Sequence, residues 1–117
     1  MRLAGSSSFR SALRRGGVKR YKVIFLPHAE RRLGVIEAYI AERSSTAVAE
    51  RFVAAVVHAA LKLESFPHRG TPREDLMSGL RTIVHRRTVT IAYVVEGDEV
   101  AVTDFLYRGE DAAARFR

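Results

Sequence analysis

The apolar positions of this chain switch from the two-residue period of a strand to the longer period of a helix, and later back again. From Tyr21 to Leu26 they alternate, with Val23 and Phe25 on one face and Lys22 and Ile24 on the other, which predicts a strand. Pro27 suits the first turn of a helix, where its missing donor would have had no partner, and Glu30 in the same turn is favoured by the helix dipole. Ala29, Leu33, Ile36 and Ile40 then recur at helical spacing, Val35 and Tyr39 widen the stripe, and Arg31, Arg32, Glu37 and Glu42 are left mostly for solvent. Ser44, Ser45 and Thr46 can end that helix and cap the next, since their hydroxyls accept bonds from the orphan amides of a helix start. A second helix is predicted from Ala47 to Ser65, with Phe52, Val56, Ala59 or Ala60, and Leu63 on its apolar side. So short a connection makes the pair an antiparallel hairpin, which cannot bury both stripes without a second layer.

The redirection comes at Phe66-Pro67-His68-Arg69-Gly70-Thr71-Pro72-Arg73, where two prolines around a glycine cannot continue a helix. Short strands follow. Leu80 to His85 is a strand, Arg86-Arg87 a turn, the β-branched run Thr88 to Val95 the strongest strand, Glu96-Gly97-Asp98 a hairpin connection, and Glu99 to Leu106 the returning strand. The polar run from Arg108 to Arg117 reads as a frayed helical turn. The expected fold class is α+β, a β-α-α-β-β-β order in which an antiparallel helical hairpin packs on a small, mainly antiparallel sheet that includes the first strand. Residues 21–117 are expected to form one domain, and no internal repeat is evident. Tyr39 and Tyr93 read as core aromatics whose polar tips reach water.

Charge matters only once it is divided along the chain. The formal net charge is +7 over 117 residues, yet Arg2, Arg10, Arg14, Arg15, Lys19 and Arg20 place six positive and no negative charges in residues 1–20. The remaining residues carry 14 basic against 13 acidic groups, or +1, so generic nucleic-acid binding by the folded part loses its electrostatic motive. Residues 1–20, rich in Ser, Gly and Arg, are expected to be a disordered basic extension; an upstream start assignment, with synthesis properly beginning near Val18, is one explanation for it. No apolar run is long enough for a membrane span or a secretory signal. The absence of cysteine excludes disulfides and thiolate metal sites and fits a reducing cytosol. His28, His58, His68 and His85 share no close spacing, so neither a metal nor another cofactor is expected.

Several local segments, in this order and at these intervals, carry a resemblance. They are Tyr21-Lys22-Val23-Ile24-Phe25-Leu26-Pro27-His28-Ala29-Glu30, Ala38-Tyr39-Ile40-Ala41-Glu42-Arg43, Ala49-Glu50-Arg51-Phe52, Leu63-Glu64-Ser65-Phe66-Pro67, Gly70-Thr71-Pro72-Arg73-Glu74-Asp75-Leu76 and Gly79-Leu80-Arg81. Together they resemble the RelE/ParE superfamily of bacterial toxins, and its ParE branch above all. The resemblance implies a type II toxin–antitoxin pair in the cytoplasm: a non-catalytic toxin inhibiting DNA gyrase and so replication, neutralised by a ParD-like antitoxin. DNA would be met only indirectly, through that antitoxin. Expected target contacts are Arg81, Arg86, Arg87, Tyr107 and Arg108, and expected antitoxin contacts are Leu33, Val35, Ile36, Tyr39 and Ile40 with the exposed edge of the sheet.

Two alternatives stand beside this. A RelE-like, ribosome-dependent mRNA endonuclease would use Arg81, His85, Tyr107 and Arg108, although Ile83 and Thr90 leave the basic strand positions of such nucleases unfilled. An inactive toxin would serve only as an antitoxin-binding module. Many ParE relatives carry an arginine and then a histidine-glycine pair on the last strand, whereas this chain reads Val102-Thr103-Asp104-Phe105-Leu106-Tyr107-Arg108-Gly109, so that Asp104 reverses the usual charge. For Arg81, pairing with Glu74, Asp75 or Asp104 is as reasonable as contact with a target. His85, beside Arg86 and Arg87, reads as a solvated turn residue ahead of a proton acceptor.

Overall fold

The computed structural model describes residues 20–116, so the expectation for the N-terminal extension lies almost wholly outside the described residues. The expected α+β architecture is present. Strand β1 (Lys22–Phe25) leads through Leu26 into helix α1 (Pro27–Arg43), with Pro27 in the first turn. Ser44 and Ser45 then reverse the chain into helix α2 (Thr46–Leu61), and the Ser45 side chain accepts the Val48 amide at 3.1 Å. Four further strands complete the sheet: β2 (Thr71–Pro72), β3 (Leu80–His85), β4 (Val89–Glu96) and β5 (Glu99–Tyr107). A short helix, α3 (Ala112–Arg115), ends the described chain, capped by the Asp111 carboxylate on the Ala113 amide at 3.0 Å.

The sheet order is β1-β5-β4-β3-β2. All pairs are antiparallel except β1 with β5, which run parallel from Lys22↔Glu99 to Phe25↔Val102. The helical hairpin covers one face. There Val23, Phe25, Leu33, Ile36, Ile40, Val56, Leu63, Ile91, Tyr93, Val102 and Phe105 form the main core. On the opposite face Leu80, Ala92 and Leu106 form a smaller apolar cluster under Leu76, Ala112 and Phe116.

A β-bulge lets β5 serve both. Ala92 pairs with Asp104 but Tyr93 with Val102, so Thr103 is the extra residue. Its hydroxyl donates to the Ala92 carbonyl at 3.2 Å. The bulge shifts the alternation by one, and Val102 and Phe105, three positions apart, both reach the helix-side core while Asp104 and Leu106 turn to the other face.

Several details differ from expectation. The second helix tightens to a 3-10 turn at Lys62–Glu64 instead of running on to Ser65, and Pro67–Arg69 form another such turn. The proline-glycine segment is not only a connection, since Thr71 and Pro72 pair with Thr82 and Arg81 and form one edge of the sheet. Pro72 is tolerated because an edge strand needs no donor on its outer side. Tyr93 does not reach water. It is fully buried; its hydroxyl donates to the Pro67 carbonyl at 2.7 Å and accepts the Gly70 amide at 3.0 Å.

Candidate functional site: the arginine end of the sheet

The turn from β3 to β4 is built without glycine. Arg86 and Arg87 both take left-handed backbone angles, φ 50° and 59°, a region that side chains with a Cβ enter at an energetic cost. Thr88 fastens it, its hydroxyl donating to the Arg86 carbonyl and its amide to the His85 carbonyl, each at 2.9 Å. Because Val89 pairs with Tyr107, the end of β5 lies alongside, and the Arg108 amide donates to the Thr88 carbonyl at 2.8 Å.

Against this end stand the last turns of α1 and the start of α2. The Tyr107 ring meets Tyr39 and Phe52 edge-on, both with centroids 5.8 Å apart. The Arg43 guanidinium lies 3.8 Å over the Tyr39 ring, and that of Arg108 lies 5.4 Å from the Tyr107 ring centre. Two shallow clefts flank the aromatic contact, one bounded by Arg32, Val35, Tyr39 and Glu110, the other by Arg43, Val48, Phe52 and Thr88; Tyr107 and Arg108 line both. Arg43, Arg86, Arg87 and Arg108 thus belong to one end of the domain. The acidic hairpin of Glu96, Asp98 and Glu99 is at the other end of β4 and β5.

Of the expected target contacts, Arg86, Arg87, Tyr107 and Arg108 gather here and Arg81 does not. The Arg81 side chain donates to the carbonyls of His68 at 2.9 Å and Gly70 at 2.8 Å, holding the proline-glycine segment against β3. Its expected carboxylate partners are engaged elsewhere. Asp75 pairs with Arg73 at 2.9 Å, and Glu74 accepts the Gly79 amide at 3.0 Å.

His85, Val89 and Tyr107 are register partners across three strands, so His85 and Tyr107 share a face about 10 Å apart by strand spacing. Burial holds the His85 imidazole below its ordinary pKa, and the positive charges of Arg86 and Lys62 act the same way. It is therefore neutral at pH 7. Arg81 stands four residues along β3, on the order of 13 Å away, so the four residues expected of a nuclease do not converge.

Asp104 and Arg32 were not legible as partners. Asp104 is buried, with Arg115 at 3.2 Å, His28 at 3.4 Å and Arg32 at 3.8 Å from its carboxylate. Arg32, expected in solvent, is mostly covered; it pairs also with Glu110 and donates to the Phe105 carbonyl at 3.4 Å, just where β1 has stopped covering the edge of β5. The reversed charge at Asp104 is spent inside the protein.

Of the residues expected to meet an antitoxin, Leu33, Ile36 and Ile40 are buried against the sheet, whereas Val35 and Tyr39 are 57% and 44% exposed. No helix among the described residues is long and apolar enough to cross a membrane.

A helical hairpin packed on a mainly antiparallel sheet is a fold already seen in a solved structure. The structure of the chromosomal ParDE toxin–antitoxin system from P. aeruginosa matches with a TM-score of 0.67 at 18% identity, covering 76% of this chain and 97% of that one. No curated protein matches the chain significantly. The family model of the ParE toxin of the type II toxin–antitoxin system parDE matches residues 23–112, and the chain belongs to that family.

Proposed function

We propose that this chain is the non-catalytic toxin of a cytoplasmic ParDE-type pair, that it inhibits DNA gyrase and so replication, and that a ParD-like antitoxin neutralises it. The observation that carries the non-catalytic reading is the separation of Arg81 from His85, Tyr107 and Arg108. Arg81 is engaged by two backbone carbonyls and stands on the order of 13 Å along β3 from His85, too far to share one phosphate with that residue and Tyr107. Arg86, Arg87, Tyr107 and Arg108 form instead a fixed basic surface suited to a protein target. For the antitoxin, Val35 and Tyr39 offer an exposed apolar pair beside a cleft, and a helical segment folding onto it would cover both.

Purified toxin added to gyrase and relaxed plasmid is the direct test. Loss of supercoiling, relieved by the antitoxin and with ribosome-bound mRNA left intact, supports this reading. Cleavage of ribosome-bound mRNA with gyrase unaffected would establish the nuclease, for which the neutral His85 in register with Tyr107 is the available pair. Neither effect, together with retained antitoxin binding, would leave an inactive binding module.

A further inference from the structure

Summed along the chain, the charge of the folded part argues against nucleic acid. Its distribution in space argues the other way. Arg43, Arg86, Arg87 and Arg108 are collected at one end of the sheet, and Glu96, Asp98 and Glu99 at the other. Among the described residues, Arg86, Arg87 and Arg108 have no carboxylate within salt-bridge distance, and Arg43 has only its neighbour Glu42 at 3.5 Å on the surface. A near-neutral domain with separated charges presents a local field that its total does not report.

We propose that this arginine end contacts the phosphate backbone of duplex DNA directly. Within the gyrase reading, on which this placement rests, the duplex is the segment held by the enzyme, so that the toxin touches both protein and DNA.

Three features favour a duplex backbone over other partners. The cations sit on a frame of backbone hydrogen bonds, with Thr88 bonded to His85 and Arg86 and Arg108 bonded to Thr88, so the side chains leave the sheet from fixed backbone positions. Guanidinium is the cation best matched to a phosphate, which it can meet with paired donors. The aromatic rings, finally, are not an open stacking platform. Tyr107 is engaged by Tyr39 and Phe52, and the Arg43 guanidinium covers a face of Tyr39. Single-strand binders need bare rings for bases to stack on, whereas backbone contact to a duplex does not.

The test is the salt dependence of binding by the full chain to a fluorescent 20-base-pair duplex, read by anisotropy between 50 and 200 mM NaCl. Each phosphate contact contributes about 0.9 to the slope of log affinity against log salt, so four contacts weaken binding roughly a hundredfold over that range. The basic residues before Tyr21 add their own contacts, so the decisive comparison is between variants. Arg86→Gln/Arg87→Gln is expected to lower the slope by about 2. Arg86→Lys/Arg87→Lys, which keeps the charge in the same turn, is expected to keep the slope, and matching melting curves for the two pairs exclude a folding defect. An unchanged slope in the folded glutamine pair would place the DNA contacts outside this turn and overturn the proposal. So would tighter binding of single-stranded RNA of the same length. Since gyrase is absent from this assay, binding through these arginines by a protein that leaves supercoiling intact would sink the gyrase reading and uphold this one.

Discussion

The hydroxyl of Tyr93, fully buried at the centre of the sheet, meets the Gly70 amide at 3.0 Å and the Pro67 carbonyl at 2.7 Å. One oxygen thus satisfies two buried backbone groups of the segment that turns the chain from helix to sheet. Tyr93→Phe leaves both unpaired, and urea denaturation is expected to show a loss of about 1–3 kcal/mol. Gly70→Ala attacks the same contact from the other side, since its Cβ would lie 2.3 Å from the hydroxyl and 3.0 Å from the Thr82 carbonyl. Combining the two should cost less than their sum, because removing the hydroxyl relieves the nearer clash.

Arg81 is expected to behave as a structural residue. Arg81→Gln removes a charge-assisted tie to the carbonyls of His68 and Gly70 and should lower stability by roughly 1.5–3 kcal/mol. Gyrase inhibition, measured well below the melting temperature, should be nearly unchanged. A large loss of inhibition with stability intact would return Arg81 to the target surface.

Asp104 gathers Arg32, Arg115 and His28 around one buried carboxylate. Asp104→Asn leaves Arg32 and Arg115 with only Glu110 as counter-charge and should destabilise the fold by about 3 kcal/mol. Restoring the arginine found at this strand position in many ParE relatives is expected to be worse still, since it would set a third guanidinium beside those two. Thermal melts of Asp104→Asn and Asp104→Arg decide the order.

Val35 and Ile36 are adjacent on α1, and their roles should separate cleanly. Ile36→Ala opens the core and is expected to cost about 2–5 kcal/mol of stability. Val35→Ser should leave the melting curve in place and weaken antitoxin binding roughly tenfold by calorimetry, the equivalent of ~1.4 kcal/mol. Antitoxin affinity unaffected by both Val35→Ser and Tyr39→Ala would move the docking surface elsewhere.

The pH dependence follows from His85. Its pKa is lowered in the fold by burial first and by Arg86 and Lys62 after it, so below the ordinary histidine value near 6.5 the unfolded chain binds the extra proton more readily. The stability linked to neutral His85 is therefore full above about pH 6.5 and is lost as the pH falls through the lower folded value. His85→Gln should flatten stability in that acidic window, as measured by urea midpoints in a pH series.

Much of the fold was legible because period and capping chemistry agree locally. The alternation before Pro27, the stripe from Ala29 to Ile40 and the Ser45 cap each predict what is found. The bulge was not legible, because β5 is apolar at consecutive positions on both sides of Thr103-Asp104 and so has no two-residue alternation whose shift would reveal an extra residue. Strand β2 is only two residues long, and Gly70 just before it is held by Arg81 of β3 and Tyr93 of β4, partners distant in sequence, so no local signal announces it. The partners of Arg81 differ from the expected carboxylates because a sequence suggests opposite charges for an arginine and is silent on which carbonyls lie free. The arginine end shows the same limit. Adding charges along a chain cannot say which turns share an end of a sheet.

Strand β1 lies parallel beside β5, so nearly the whole domain must close as one loop before the two can pair. Such a contact is non-local, whereas the helical hairpin and the β3–β4 ladder each join neighbouring segments. Strand β5 is the joint between the two kinds of contact, since it pairs with β1 on one side and β4 on the other while Val100, Val102 and Phe105 enter the core under the helices. The clefts at Tyr107 and Arg108 lie between that strand and α1, so they exist only in the closed domain and cannot be presented by any shorter local piece of it.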